Sequence, residues 1–224
     1  VRRGAAGRAI RPGLLAAGTD DGLIQISRDD GRTWRKTETM PGVPKMMKVA
    51  MVAWSPTKEG TLYAVFDGHQ DNDFRPYAVR SDDYGQSWRN ITADLPAFGP
   101  TKSIAAHPKN GELVFVGTDF GVYFSRDGGG HWLPLRSGLP TNSVQGILVH
   151  PRENDLVIGT HGRGFWVLDQ LNLIEALTPE IVRADSYLAP PRRGTQIRDA
   201  ERGRKNTGHT YFTTANPPRG AIID

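Results

Sequence analysis

The sequence predicts an all-β chain: a partial β-propeller of about three to four blades, then a linker and the start of a β-sandwich-like domain. Three observations predict it. One octet recurs at blade spacing, helical periodicity is nearly absent, and 26 glycines and 16 prolines punctuate many short apolar runs.

The octets are SRDDGRTW (27–34), SDDYGQSW (81–88) and SRDGGGHW (125–132), and they align without gaps. Each holds Ser, Asp two residues later, Gly four later and Trp seven later. The positions are Ser27, Asp29, Gly31 and Trp34; Ser81, Asp83, Gly85 and Trp88; Ser125, Asp127, Gly129 and Trp132. Side-chain oxygens placed just before a bending backbone accept its N–H groups. Glycine supplies a positive φ that a β-carbon disfavours. Each tryptophan opens the next strand and brings a large apolar area, expected to wedge between neighbouring sheets.

A second series runs in phase with the first. VAMVAWSP, SIAAHP and VQGILVHP are apolar strands ending at Pro56, Pro108 and Pro151. They are followed by TLYAVFDG, LVFVGTDFG and LVIGTHGRG, and LLAAGTDDG near the start fits the same slot. The unit is strand, proline turn, strand, glycine turn, strand, octet turn and tryptophan strand, which is one four-stranded blade. The one good helical candidate spans 169–184, where Pro179 breaks or restarts it. The expected division is a leader at 1–13, blades at 14–170, a closing segment and linker at 171–210, and the first strands of a further β domain at 211–224. Additional blades in a parent chain are expected to complete the ring. Because sheet edges would otherwise be left open, the chain alone is expected to be poorly soluble or oligomeric.

Composition narrows the function classes. A net charge of +4 is concentrated toward the two ends, and no recognisable binding motif accompanies it, so no nucleic-acid partner is expected. The chain has no cysteine, which excludes disulfides and thiolate chemistry. No apolar run approaches the ~20 residues of a membrane span. Phosphate-loop, HExxH and GxSxG motifs are absent. The arginine-rich stretch 192–205 reads as a solvated linker.

The octets resemble the Asp-box, or bacterial neuraminidase repeat, of sialidases, sortilin-type propellers and xyloglucanase-type glycosidases. AGTDDGLIQISRDDGRTW, DGHQDNDFRPYAVRSDDYGQSW and ILVHP followed by IGTHGRGFWVLD are most similar to bacterial sortilin N-terminal-like BNR-repeat proteins, often labelled glycosyl hydrolases. The resemblance covers about residues 14 to 190. It implies that the octets are structural turns on the blade rim, away from the ligand. It also implies a periplasmic or secreted protein.

Strand alternation puts the loop between strands two and three on the same end as the connection into the next blade, opposite the octets. Loops gathered around a propeller channel form the natural binding face. Candidate ligand contacts are therefore Asp20 and Asp21 in GTDDG; His69, Asp71, Asp73 and Arg75 in DGHQDNDFRPY; Asp119 in GTDFG; and His161 and Arg163 in THGRG. The plain alternatives are a solvated loop with Arg75 paired to an acid, and a tight turn in GTHGRGFW. In that turn Phe165 and Trp166 are read as core residues of a strand. Asp71 to Asp73 offer hard oxygens for calcium without full EF-hand spacing, so no metal and no cofactor is assigned. A glycosidase needs two carboxylates about 5 Å or about 6.5–9.5 Å apart, and Asp73 and Asp119 are weak catalytic candidates. The arginine cluster and Tyr–Glu pair of a sialidase are not assignable. The first reading is a binding module for peptide, protein or glycan; the alternative is a glycoside hydrolase using a carboxylate pair on this face.

Overall fold

Short apolar runs bounded by turn residues become fourteen strands among the described residues. The computed structural model describes residues 11–190 other than 137 and 170. Residues 1–169 form one compact unit and 170–224 another.

The first blade holds β1 (Leu15–Gly18), β2 (Ile24–Ser27) and β3 (Arg35–Thr37). The second holds β4 (Val49–Trp54), β5 (Leu62–Phe66), β6 (Tyr77–Ser81) and β7 (Arg89–Asn90). The third holds β8 (Thr101–Ala106), β9 (Val114–Thr118), β10 (Gly121–Ser125) and β11 (Leu133–Leu135), and the fourth β12 (Val144–Val149), β13 (Leu156–Thr160) and β14 (Phe165–Leu168). Within each sheet, consecutive strands pair antiparallel. The blades stand side by side in chain order, with β4 beside β8 and β8 beside β12. The fold is thus an all-β partial propeller.

The blades are held together by apolar faces. Ala16, Ile24 and Ile26 of the first blade form a core with Val52, Trp54, Leu62, Ala64, Phe66 and Val79 of the second. Tyr63, Val65 and Ala78 from the other side of the second blade meet Ile104, Val114, Val116 and Trp132 of the third. Every residue of β5 and of β9 is therefore buried, since each strand has a sheet on both sides. Arg80 fixes the octet end of the second joint. Its guanidinium, 7 % exposed, pairs with Asp82 at 2.7 Å and donates to Gly128 O of the third blade at 3.3 Å.

The three octets fold alike. Gly31, Gly85 and Gly129 each donate their N–H to the octet serine Oγ at 2.8 Å. That hydroxyl donates to the octet aspartate at 2.8, 2.9 and 2.7 Å. The same aspartate accepts the N–H of Thr33, Ser87 or His131 at 2.9, 2.8 and 2.9 Å. The glycines sit at φ of 84°, 78° and 99°. At Gly85 a β-carbon would lie 2.3 Å from Ile26, and at Gly129 it would lie 2.9 Å from Ile91, so close packing on the preceding blade also requires glycine. At the turns after β4, β8 and β12, Ser55, His107 and His150 use a side-chain acceptor to receive N–H groups two or three residues on.

Two expectations are corrected. Trp132 is 4 % exposed and donates to Ile91 O, and Trp88 packs on the first core, but Trp34 is 44 % exposed. Trp132 and the half-buried Trp88 each pack on a core shared with the preceding blade, and no described blade precedes the first. Phe165 and Trp166 are not core: they are 84 % and 37 % exposed, because β14 borders the last described sheet. The helical candidate divides as expected into α1 (Asn172–Ala176) and α2 (Pro179–Arg183), with Thr178 accepting Ile181 N–H at 3.3 Å. Residues 1–10 of the leader expected at 1–13, the arginine-rich stretch and the further β domain expected at 211–224 lie outside the described residues.

Two outcomes follow from the turns. Ser125→Ala leaves the buried Gly129 N–H without its acceptor, and chemical denaturation should show a loss of about 1–3 kcal/mol. Asp29 is held at about 2, first by the Thr33 hydroxyl, and Asp83 at about 2, first by the Ser87 hydroxyl, both from an ordinary 3.8. Because the unfolded chain takes up these protons first, stability should fall as pH drops from about 4 toward 2. Melting curves of Asp83→Asn should show a flatter pH dependence over that window.

Candidate functional site

The loop end of the second joint is built from three neighbouring segments. Thr101, buried at the start of β8, places its hydroxyl 2.8 Å from Phe66 O and 2.9 Å from Tyr77 O, bridging β5 and β6. The next residue, Lys102, carries its ammonium to Asp67 at 2.7 Å and Asp119 at 3.3 Å. His69 Nδ1 lies 2.7 Å from Asp67 and 3.3 Å from Lys102 Nζ. Ser143, ahead of β12, donates its hydroxyl to Asp119 at 2.6 Å. One cation thereby ties together loops of the second, third and fourth blades.

The electrostatics of the cluster are those of a satisfied ion network. Lys102 and Asp67 side chains are 8 % and 5 % exposed. Burial acts to raise the Asp67 carboxyl, but hydrogen bonds from Lys102 and His69 outweigh it and hold the group below the ordinary carboxylate range. Asp73 belongs to a separate constellation. Arg75 grips it with Nε at 2.9 Å and Nη2 at 2.6 Å, and the Tyr77 hydroxyl donates at 2.8 Å. The Arg75 hydrogen bonds hold Asp73 well below its usual range, against the effect of burial. Burial, with Asp73 beside it, pushes the Tyr77 hydroxyl up to about 12.

The remaining predicted contacts occupy the same class of loop. Asp20 and Asp21 are exposed in the turn between β1 and β2, where Asp21 accepts the Thr19 hydroxyl. Asp71 is exposed and ends a single 3-10 turn, His69–Asp71. His161 and Arg163 are exposed in the turn between β13 and β14, pinned by His161 N–H to Ser143 O at 2.9 Å. Among the described residues, no three His, Asp or Glu side chains converge as a metal site.

Sequence reasoning missed the aromatic part of this face. Phe74, Phe98 and Phe120 stack in series, with centroids 5.4 and 5.5 Å apart and interplanar angles of 29° and 20°. They are 39 %, 60 % and 44 % exposed. The loops are locked in register: Gly99 N–H donates to Phe74 O at 2.8 Å, and a β-carbon on Gly99 would lie 3.1 Å from the Phe120 ring. Phe120 also borders a cavity of about 450 Å³ lined by Tyr123, Leu135, Arg136, Leu139 and Pro140. The signal was present, since three successive loops of one face each carry a phenylalanine beside Gly, Pro or Arg.

Comparison with known proteins adds the fold. No family model matches the sequence, and no curated protein matches it. Solved structures do. A structure of YCF48 bound to a D1 peptide shares 18% identity at a TM-score of 0.55, over 72% of this chain and 49% of that one. The GH74 xyloglucanase from Xanthomonas campestris shares 18% identity at a TM-score of 0.51, over 69% of this chain and 25% of that one. An ancestral GH74 enzyme shares 15% identity at a TM-score of 0.57, over 73% and 22%. The chain spans less than half the length of each, and at these identities the likeness is one of fold. The neighbours include both a peptide-bound protein and glycoside hydrolases. Among the described residues, no helix is long and apolar enough to cross a membrane.

Removing the shared cation should be costly. Lys102→Met leaves Asp67 buried without its counter-charge, and denaturation should show a loss of about 3 kcal/mol or more. Asp73→Asn, facing an Arg75 that is 65% exposed, should change stability by about 1 kcal/mol or less.

Proposed function

We propose that the chain is part of an Asp-box propeller of the sortilin-like, BNR-repeat kind that binds a peptide or protein segment on its loop face. The observation that carries this reading is the exposed stack of Phe74, Phe98 and Phe120 running toward the cavity beside Phe120. Exposed aromatic side chains in a row supply apolar area that water does not reward, and such groups anchor partners at interfaces. The stack favours peptide over glycan. A sugar ring lies on a free aromatic face, whereas the middle ring, Phe98, has a neighbour on each of its faces. Aliphatic or aromatic side chains of a peptide can pack along such a row. Charged residues around the stack, Arg75 and Arg136 among them, serve orientation more than affinity.

A glycoside hydrolase is the second reading, and the convergence of Asp67 and Asp119 on one ammonium is its specific support. Such an enzyme requires one carboxyl that keeps its proton near neutral pH. Asp67 and Asp73 are both held below the ordinary range, so neither suits the proton-donating role. The exposed aromatic stack makes binding the better reading. The resemblance of the octets extends it to a periplasmic or secreted location.

The test is a comparison of ligands. A library of short peptides rich in aromatic and branched aliphatic residues should yield binders, and Phe98→Ala should weaken them about tenfold or more without changing the melting temperature. Xyloglucan oligosaccharides should be neither bound nor cleaved. Turnover of a glycan that is lost in Asp119→Asn would overturn the binding reading in favour of the hydrolase.

A further inference from the structure

Three phenylalanines from separate loops form a row with a regular step. Ring centroids lie 5.4 Å apart from Phe74 to Phe98 and 5.5 Å apart from Phe98 to Phe120, and all three rings are exposed. The row is held in place before any partner arrives. Gly99 N–H donates to Phe74 O at 2.8 Å, and Phe120 N–H donates to the Thr118 hydroxyl at 3.1 Å. Past Phe120 lies the cavity of about 450 Å³, whose lining includes Leu135, Leu139 and Pro140. The surface therefore offers two apolar valleys between rings and then a wider apolar seat.

The step of the row selects the conformation of what lies along it. An α-helix repeats its apolar face about every 5.4 Å, through side chains at i, i+3 or i+4, and i+7. Same-face side chains of an extended strand recur about every 6.7 Å, and those of a polyproline II helix about every 9.3 Å. Against this row a strand falls out of step by about 1 Å at each ring, and a polyproline II helix by about 4 Å. An α-helix keeps step.

We propose that the partner segment is an amphipathic α-helix, laid along the phenylalanine row with its C-terminal turn over the cavity. This rests on the peptide-binding reading above and adds the conformation and direction of the bound segment. Successive side chains of its apolar face fill the two valleys and the seat. Charge sets the direction. Beside the row, Arg75 is answered by Asp73, and Asp119 by Lys102. Arg136, exposed on the cavity wall, has no acid partner among the described residues. A helix C-terminus carries about half an elementary negative charge on carbonyls that its own turns leave free. Arg136 is placed to receive them.

The test is selection on the 224-residue chain from two displayed peptide pools of equal length and composition. One pool places Leu, Ile and Phe at i, i+3, i+4 and i+7; the other alternates them with polar residues. Binders are expected from the first pool, and their circular dichroism should become more helical in the complex. Phe98→Ala should weaken them about tenfold or more, at an unchanged melting temperature because the ring is exposed. Arg136→Glu should weaken them too, and an arginine placed in the last turn of the peptide, but not in its first turn, should restore binding. Binders from the alternating pool alone, lost in Phe98→Ala, overturn the helix and leave the peptide-binding reading standing. Equal binding from both pools also overturns the helix, because the step then selects nothing. Helical binders indifferent to Arg136→Glu overturn the direction assigned to them. No binder from either pool overturns the helix and the peptide-binding reading together.

Discussion

The hydrogen bond from each octet glycine N–H to the octet serine hydroxyl is the constraint from which the architecture follows. It closes the turn, and it does so only where the glycine backbone adopts a left-handed conformation. The closed turn delivers the tryptophan to the start of the next strand. In the second and third blades it also brings the glycine against an isoleucine of the blade before. With turn and tryptophan placed, the apolar faces of adjacent sheets meet in a fixed relation. The loops at the opposite end inherit their positions from that relation.

The joint between the second and third blades is clamped at both ends by a cation with little access to water. Arg80 crosses at the octet end, and Lys102 crosses at the loop end. Such charges contribute more to uniqueness than to stability, because desolvation offsets much of their attraction while an apolar slip between sheets would strand them. The aromatic stack benefits from this. Phe74, Phe98 and Phe120 come from separate loops of the two blades, and they stay aligned because the sheets beneath them are held in one register.

Much of the fold was legible in the residues. Octet spacing fixed the blade repeat, and apolar runs between prolines and glycines located the strands. Pro179 placed the interruption between α1 and α2. What was not legible depends on neighbours in space. Phe165 and Trp34 look like core residues because their equivalents pack on neighbouring blades, and only the arrangement of blades reveals that no described blade covers them. Lys102 was passed over because a lysine in a strand reads as a solvent-facing residue, and its two acids come from other loops. His69 and Asp119 were identified as candidates without the cation that joins them. The phenylalanines stand in the same loops as the charged candidates, whose polarity suits both solvent and ligand, and only the stacking of three separate loops sets them apart.

The seating of Ile26 and Ile91 in octet glycines has a consequence for ancestry. The two seats are filled from different places in the preceding blade: Ile26 lies in β2, whereas Ile91 follows β7. Each glycine is therefore matched to its own predecessor, and a blade moved to another place in the order would meet a side chain of different shape there. New blades on this device need compensating changes in a neighbour, so the order of blades is as much a part of the design as their number.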